Sequence, residues 1–266
     1  GGFTRVVKAD REAVLDEDGA LDLDRYFLAE TRLLIRYEQG WKALPYVWNA
    51  AQTEAFLEPA GELLNLELVP AEGESESIVY VVPDTNQCAS CHTPDHGSKA
   101  LRPLGPKGRQ LNRDYAYTSG VANQLESWTA AGLLEGMSDP ATAPAIANWS
   151  TPGDATPQER ARAYLDVNCG HCHNPEGAAD TSALNLNLEA EVDRRFGICK
   201  PPVAVGQGSG NRGYDIVPGR ADASILVYRM ESTNPAIAMP EIGRAASHAE
   251  GVAAVRQWID GLDGAC

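Results

Sequence analysis

Cys88-Ala89-Ser90-Cys91-His92 and Cys169-Gly170-His171-Cys172-His173 are the stretches on which the reading of this chain turns. Each places two thiols two residues apart with a histidine directly after the second, the sequence form of c-type haem attachment. The spacing has a chemical reason. Two thiols on one short turn can add to the vinyl groups on neighbouring edges of a porphyrin, and the next residue then lies beneath the ring, where its imidazole becomes an axial ligand of the iron. The pentapeptide occurs twice, so the expectation is two covalently attached haem c groups, one held by Cys88, Cys91 and His92 and the other by Cys169, Cys172 and His173.

A CxxC pair also serves structural zinc sites and thioredoxin-like dithiols. Cys91 and Cys169 are 78 residues apart, far beyond the roughly 15–20 residues of a common zinc knuckle. Neither pair sits in a βαβ pattern, and both alternatives leave His92 and His173 without a role. The remaining cysteines, Cys199 and Cys266, have no metal-ligand spacing. Covalent haem attachment takes place outside the cytoplasm, where disulfides persist, so a Cys199–Cys266 bond is expected. The expected location is the periplasm or the extracellular space of a bacterium. Gly1-Gly2-Phe3-Thr4 shows no export signal, which reads as a mature or trimmed product.

Working outward, the 266 residues carry 22 Lys and Arg against 37 Asp and Glu, a net charge of −15. Such a balance repels phosphate backbones and excludes nucleic acid as the expected partner. Apolar stretches such as 78–83 and 225–228 are far shorter than the roughly 20 residues of a membrane helix, so no transmembrane segment is expected. The 25 Gly and 17 Pro with only 7% aromatic residues suggest long ordered loops.

Composition and periodicity divide the chain into three. Residues 1–87 read as an antiparallel β module: strand formers from Tyr26 to Tyr37, a turn at Gln39-Gly40, more from Trp41 to Trp48, the alternation of Leu64, Leu66 and Leu68, a turn over Ala71 to Ser75, then Ile78 to Val82. This module holds 7 basic and 17 acidic residues. Its run Asp16 to Asp24 lacks the order of a calcium loop and reads as a solvated charged face. Residues 88–153 form the first haem unit, loop-rich, with a helix expected through Val121, Leu125, Trp128 and Leu133 or Leu134 to Gly136. Lys99, Arg102, Lys107, Arg109 and Arg113 cluster there, either as partners for haem propionates or as a basic surface loop. Pro140 to Pro157 reads as a linker.

Residues 154–266 form the second unit. Thr156-Pro157-Gln158-Glu159 is a capping box with proline at the first helical position, which should start a helix that delivers Cys169. Ser247-His248-Ala249-Glu250 is a second box, followed by Val252, Val255, Trp258 or Ile259, and Leu262 on one face. Helix, attachment motif, long loop and closing helix follow the order of a small cytochrome c. Met239-Pro240 lies 66 residues after His173, where its thioether can reach the open face of the second iron; Met230 is the alternative. For the first iron no methionine lies between His92 and Val121. Met137 and His96 are the candidates, with His248, His171, Lys99 or Tyr115 as others, or the position is open. Gly208-Ser209-Gly210-Asn211-Arg212-Gly213 matches a dinucleotide-binding fingerprint, but the turn chemistry of Val217-Pro218-Gly219 follows in place of a helix.

With these motifs the chain resembles a dihaem c-type cytochrome. More narrowly it is similar to a family of secreted bacterial dihaem cytochromes with an N-terminal β segment, on the strength of Trp41 to Asn49, Gly105-Pro106-Lys107, Leu111 to Tyr115, Ile198 to Pro202 and Met239-Pro240-Glu241. The resemblance implies a mixed fold, the β module followed by two mostly α, loop-rich cytochrome c-like domains. It supports electron transfer by analogy. The leading expectation is a carrier passing single electrons between its haems and a redox partner protein with a basic docking surface. Two rivals are a dihaem peroxidase-like enzyme with an open or weakly ligated first haem, and a haem-stabilised binding module whose β segment docks another secreted protein.

Overall fold

Tight turns and alternating strand formers build the first part of the chain. The computed structural model describes residues 4–7, 26–69, 74–137, 139–203 and 205–266. Around the Gln39-Gly40 turn, β2 (Glu30–Tyr37) pairs antiparallel with β3 (Gly40–Trp48), with Tyr37 opposite Gly40. Gly40 takes φ +119°, a conformation that side chains disfavour. Alternate residues of β3, Ala43, Pro45 and Val47, are buried, and β4 (Ala55–Leu57) adds to its other edge.

The Leu64–Leu66 alternation is β5 (Glu62–Val69), which pairs antiparallel with β6 (Glu76–Val82) and in parallel with β1 (Thr4–Val7). The expected antiparallel module is therefore two three-stranded sheets, one of which contains a parallel pair. Parallel neighbours need a long crossover, and the β2–β4 sheet lies in the chain between β1 and β5. The acidic run 16–24 and positions 71–73 of the expected turn lie outside the described residues.

Val82 and Pro83 are buried where the sheet hands over to α1 (Thr85–His92). Asp84 accepts from the N–H groups of Asn86 and Gln87 at 2.7 Å each, and the Gln87 side chain accepts from the Asp84 N–H at 3.0 Å. This capping box launches the helix that carries the first motif. After α2 (Gly108–Leu111), the expected helix through Val121 and Leu134 is replaced by a hairpin, β7 (Asp114–Tyr117) and β8 (Gly120–Asn123), and a short α3 (Gln124–Ala130). Asn123 accepts from the N–H groups of Leu125 and Glu126 and so starts the helix there. Val121 is 70% exposed in the strand and Leu133 74% exposed beyond the helix, so only the middle of the apolar stripe, Leu125 with half-buried Trp128, turns inward. The 140–157 stretch, expected as a linker, has no buried residue among those described, but it is pinned to the second unit at Trp149. Trp149 meets the rings of Tyr164 and His248 edge-on, and its carbonyl accepts from Arg160 Nε at 2.9 Å.

Thr156 and Glu159 cap α4 (Pro157–Asn168) as the sequence predicts. The closing helix α6 (Ala249–Asp260) begins one residue later than its expected box. Ser247 Oγ donates to the Met230 carbonyl at 3.2 Å, and His248 Nδ1 faces the Tyr164 hydroxyl at 3.0 Å, so neither caps the helix. Val252, Val255, Trp258 and Ile259 of α6 bury against Ala161, Tyr164 and Leu165 of α4, joined by Phe196 and by Met230 of α5 (Ile225–Glu231). A Cβ at Gly251 would lie 2.2 Å from the Tyr164 ring, so the close approach of the two helices requires glycine. Cys199 and Cys266 are disulfide-bonded, tying the end of the chain to the loop after Phe196.

One ion cluster joins the two motif-bearing units. Asp166 of α4 has a fully buried side chain that accepts from Arg109 at 2.8 and 3.0 Å, from Lys107 at 3.5 Å and from the Leu188 N–H at 3.1 Å. Arg109 also pairs with Glu189. Two members of the basic cluster read as possible propionate partners are thus committed elsewhere, because an ionised carboxylate without solvent demands a cation at hydrogen-bond distance.

Candidate cofactor site

The two attachment motifs lie on short helical turns. The first is the last part of α1. The second follows α4, where the N–H groups of Cys172 and His173 donate to the Cys169 carbonyl at 3.1 and 2.9 Å. Gly177 passes so close to this turn that a Cβ would stand 2.3 Å from the Cys172 carbonyl oxygen. All four motif cysteines are unbonded while Cys199 and Cys266 are paired, which sorts the six thiols four and two.

Both motif histidines are held in the same tautomer. His92 Nδ1 lies 3.0 Å from the Arg102 carbonyl oxygen, which can only accept. His173 Nδ1 lies 3.0 Å from Ser182 Oγ, whose own proton goes to the Ala179 carbonyl at 2.6 Å. In each ring Nδ1 therefore donates and Nε2 keeps its lone pair, the orientation of a metal-ligating histidine with a hydrogen-bonded second nitrogen. Burial, with the nearby charges of Arg229, His171 and Lys200, pushes His173 down to about 4, so its imidazole is neutral at physiological pH. Burial raises the Cys88 thiol and pushes Cys169 up to about 12, keeping both protonated.

Three cavities share walls around these groups. A cavity of about 660 Å3 lies between the motifs, lined by Cys91, Cys169, Cys172, His173 and Met239 among others. It falls within the roughly 300–1,000 Å3 of ordinary ligand sites. A pocket of about 80 Å3 continues from Cys169, His173 and Met239 toward Phe196, Ile225 and Met230. Another of about 60 Å3 lies at Cys88, Cys91 and His92 against Arg32, Leu34, Ala43 and Ile242. Imidazoles that keep Nε2 free, unbonded thiols and a thioether on contiguous hollow space form a donor set that fits haem c. Cys88, Cys91, His92, Cys169, Cys172, His173 and Met239 are the residues that would hold it.

The Met239 loop is fastened from behind. Its N–H donates to the Arg229 carbonyl at 3.0 Å. Arg244 donates to the carbonyls of Met230, Arg229 and Ser232 at 3.0, 3.1 and 2.6 Å, covering the C-terminal carbonyls of α5. Met230, the alternative ligand, is buried in α5 and lines the smaller pocket behind Met239. Lys200 and Arg229 also line that pocket, with Lys200 bonded to Asp215 at 2.9 Å. Neither was singled out from the sequence as a site residue. Nothing local marks them, because they reach the second motif only through the fold.

The candidates for the first iron separate. His96 and Lys99 line the large cavity. Met137 lines none of these three cavities, and among the residues lining the pocket at His92 there is no methionine or second histidine. His248 faces Tyr164 and Trp149, and Tyr115 is 45% exposed on β7 against Tyr117.

Cys91, His171 and Cys172 place their ligand atoms within 4.8 Å of one another, the one group of three or more such donors found among the described residues. Hydrogen bonds from Cys172 and His171 lower the Cys91 thiol, while the bond to Cys91, with burial, raises Cys172. Cys88 and Cys169 are not in this group, so the two CxxC pairs do not converge into a four-thiolate zinc site. Among the described residues no helix is long and apolar enough to cross a membrane. No protein-family model, curated protein or solved structure matches the chain.

Proposed function

We propose that this chain is an extracytoplasmic dihaem c-type cytochrome that passes single electrons between two covalently bound haem groups and a redox partner protein. One observation carries the reading: both motif histidines donate through Nδ1 and so keep a free Nε2, each directly after a CxxC pair, with Met239 on the same cavity as His173. Haem iron would supply the one-electron chemistry. The protein's part is to hold it. Cys88 and Cys91, and Cys169 and Cys172, would anchor the two groups; His92 and His173 would each offer Nε2 to an iron, and Met239 would offer its thioether to the second, on a loop that Arg244 fastens to α5.

The bonded Cys199–Cys266 pair supports a location outside the reducing cytoplasm, in the bacterial periplasm or beyond. The 7 basic and 17 acidic residues of 1–87 favour a partner with a basic docking surface, and association that slows with salt. A second reading, a peroxidase-like enzyme, is favoured by the absence of any methionine or second histidine among the residues lining the pocket at His92.

Optical spectra with added cyanide and carbon monoxide test the choice. Two low-spin irons that resist both ligands support the carrier. Rapid tight binding at one iron supports the enzyme. In a potentiometric titration, Met239→Ala lowers one midpoint and leaves the other nearly unchanged. Equal shifts in both would remove Met239 from its role.

A further inference from the structure

The second thiols of the two motifs meet. Cys91 and Cys172 are 81 positions apart in the chain, yet their Sγ atoms and a ring nitrogen of His171 lie within 4.8 Å of one another. The backbone holds them there. Cys172 Sγ is 3.6 Å from the Ser90 carbonyl oxygen, so a residue between the first pair of thiols touches the second motif directly. Beyond the histidines, the His96 N–H donates to the Glu176 carbonyl at 2.8 Å, joining the loop after His92 to the loop after His173. These contacts place one anchor of each motif at a common wall of the cavity of about 660 Å3.

We propose that the Cys91–Cys172 contact holds the two haem groups edge to edge, as a coupled pair that exchanges electrons directly, with no Phe, Tyr or Trp relay between them. The inference rests on the dihaem reading. Each sulfur, once a thioether, would be joined to its own ring through the single carbon left by the vinyl group, so two sulfurs in contact would leave the rings separated by little more than the two sulfurs and those two carbons. Exchange between them is balanced: one ferrous iron loses an electron, one ferric iron gains it, no bond breaks and no proton moves. The same closeness would make the charge on one centre felt by the other, because the Coulomb interaction grows as the separation falls. His171 occupies the junction, with an Nδ1 that is buried and has no hydrogen-bond partner. It is the wedge between the two anchors. A metal ion held by Cys91, His171 and Cys172 would need free thiolates, which thioether formation removes.

The test uses the full chain produced with covalent haem maturation. Circular dichroism in the Soret band is compared with that of two single-haem variants, Cys88→Ala with Cys91→Ala, and Cys169→Ala with Cys172→Ala. A contacting pair gives a two-signed couplet that neither variant shows and that their sum does not reproduce. A spectrum equal to that sum overturns the proposal. Should a variant fail to fold, the unmodified protein decides alone, through electron paramagnetic resonance of the fully oxidised and half-reduced forms. Coupling shifts or broadens the lines of the iron that stays ferric; unchanged lines refute it. Haem content, measured on the same sample, separates the two levels of the argument. Two covalent haems with additive dichroism sink the contact alone, whereas bound zinc and no haem sink the dihaem reading together with it.

Discussion

Replacing Asp166 with asparagine removes the charge that ties the first motif-bearing unit to α4 and leaves the shape nearly unchanged. The side chain is fully buried and accepts two bonds from Arg109 at 2.8 and 3.0 Å, one from the Leu188 N–H at 3.1 Å and a longer one from Lys107 at 3.5 Å. Breaking a buried pair by removing one partner costs about 3–5 kcal/mol. Two features reduce that here: Arg109 keeps 16% of its side chain exposed and retains Glu189, and the amide oxygen still accepts from Leu188. A loss of about 3 kcal/mol follows from the lower end of that range. In urea, with a slope of about 3 kcal/mol/M for a chain of this size, the midpoint falls by roughly 1 M. The assay is equilibrium unfolding of the haem-loaded protein, followed by far-ultraviolet circular dichroism, for Asp166→Asn, Arg109→Gln and the double variant. The double variant should cost less than the sum of the two by about 2 kcal/mol, within the usual coupling of contacting pairs. Strict additivity, within about 0.5 kcal/mol, would refute the claim that this pair joins the two units.

Gly251→Ala drives a Cβ into the Tyr164 ring at 2.2 Å, so α4 and α6 must separate, at a cost of about 1–3 kcal/mol in the same unfolding assay. Cys266→Ser opens a loop of 67 residues and should lower stability by up to about 4 kcal/mol, with no further loss on adding reductant. Burial, followed by the hydrogen bond to Glu30, pushes the Tyr80 hydroxyl up to about 12, above the roughly 10 of an unfolded tyrosine. Its contribution is complete below pH 10 and is lost as pH rises toward 12, because the unfolded chain ionises first. The urea midpoint therefore falls across that window more steeply for the natural protein than for Tyr80→Phe, and parallel curves would contradict this. Arg244→Gln releases carbonyls of α5 from the guanidinium behind the Met239 loop. The methionine-to-iron absorption band should weaken while haem content stays at the level of the unmodified protein.

Local signals in the sequence were readable where the chemistry is local. Thr156 and Glu159 lie three residues apart and cap α4 as expected, and the apolar face of α6 follows from helical spacing alone. The Cys199–Cys266 bond came from elimination among six thiols. Errors arose where a nearby competitor won or a distant partner decided. Asn123 captures two backbone N–H groups and ends the stripe that began at Val121. Ser247 bonds to Met230, 17 residues away, and does not cap α6. Arg109 meets Asp166 across 57 residues, so no window along the chain could separate a propionate partner from an ion-pair partner. The parallel pairing of β1 with β5 and the meeting of Cys91 with Cys172 are of the same kind. Ser182, nine residues past His173, is an ordinary hydroxyl until the fold turns it onto Nδ1.

The intact mass of the acid-denatured protein tests the central claim most directly, because thioether links survive conditions that release ordinary haem. The account predicts a mass equal to the polypeptide plus two haem groups, with one group on a proteolytic fragment containing Cys88 and Cys91 and the other on a fragment containing Cys169 and Cys172. A mass equal to the bare polypeptide, from protein matured where haem is attached, would contradict it.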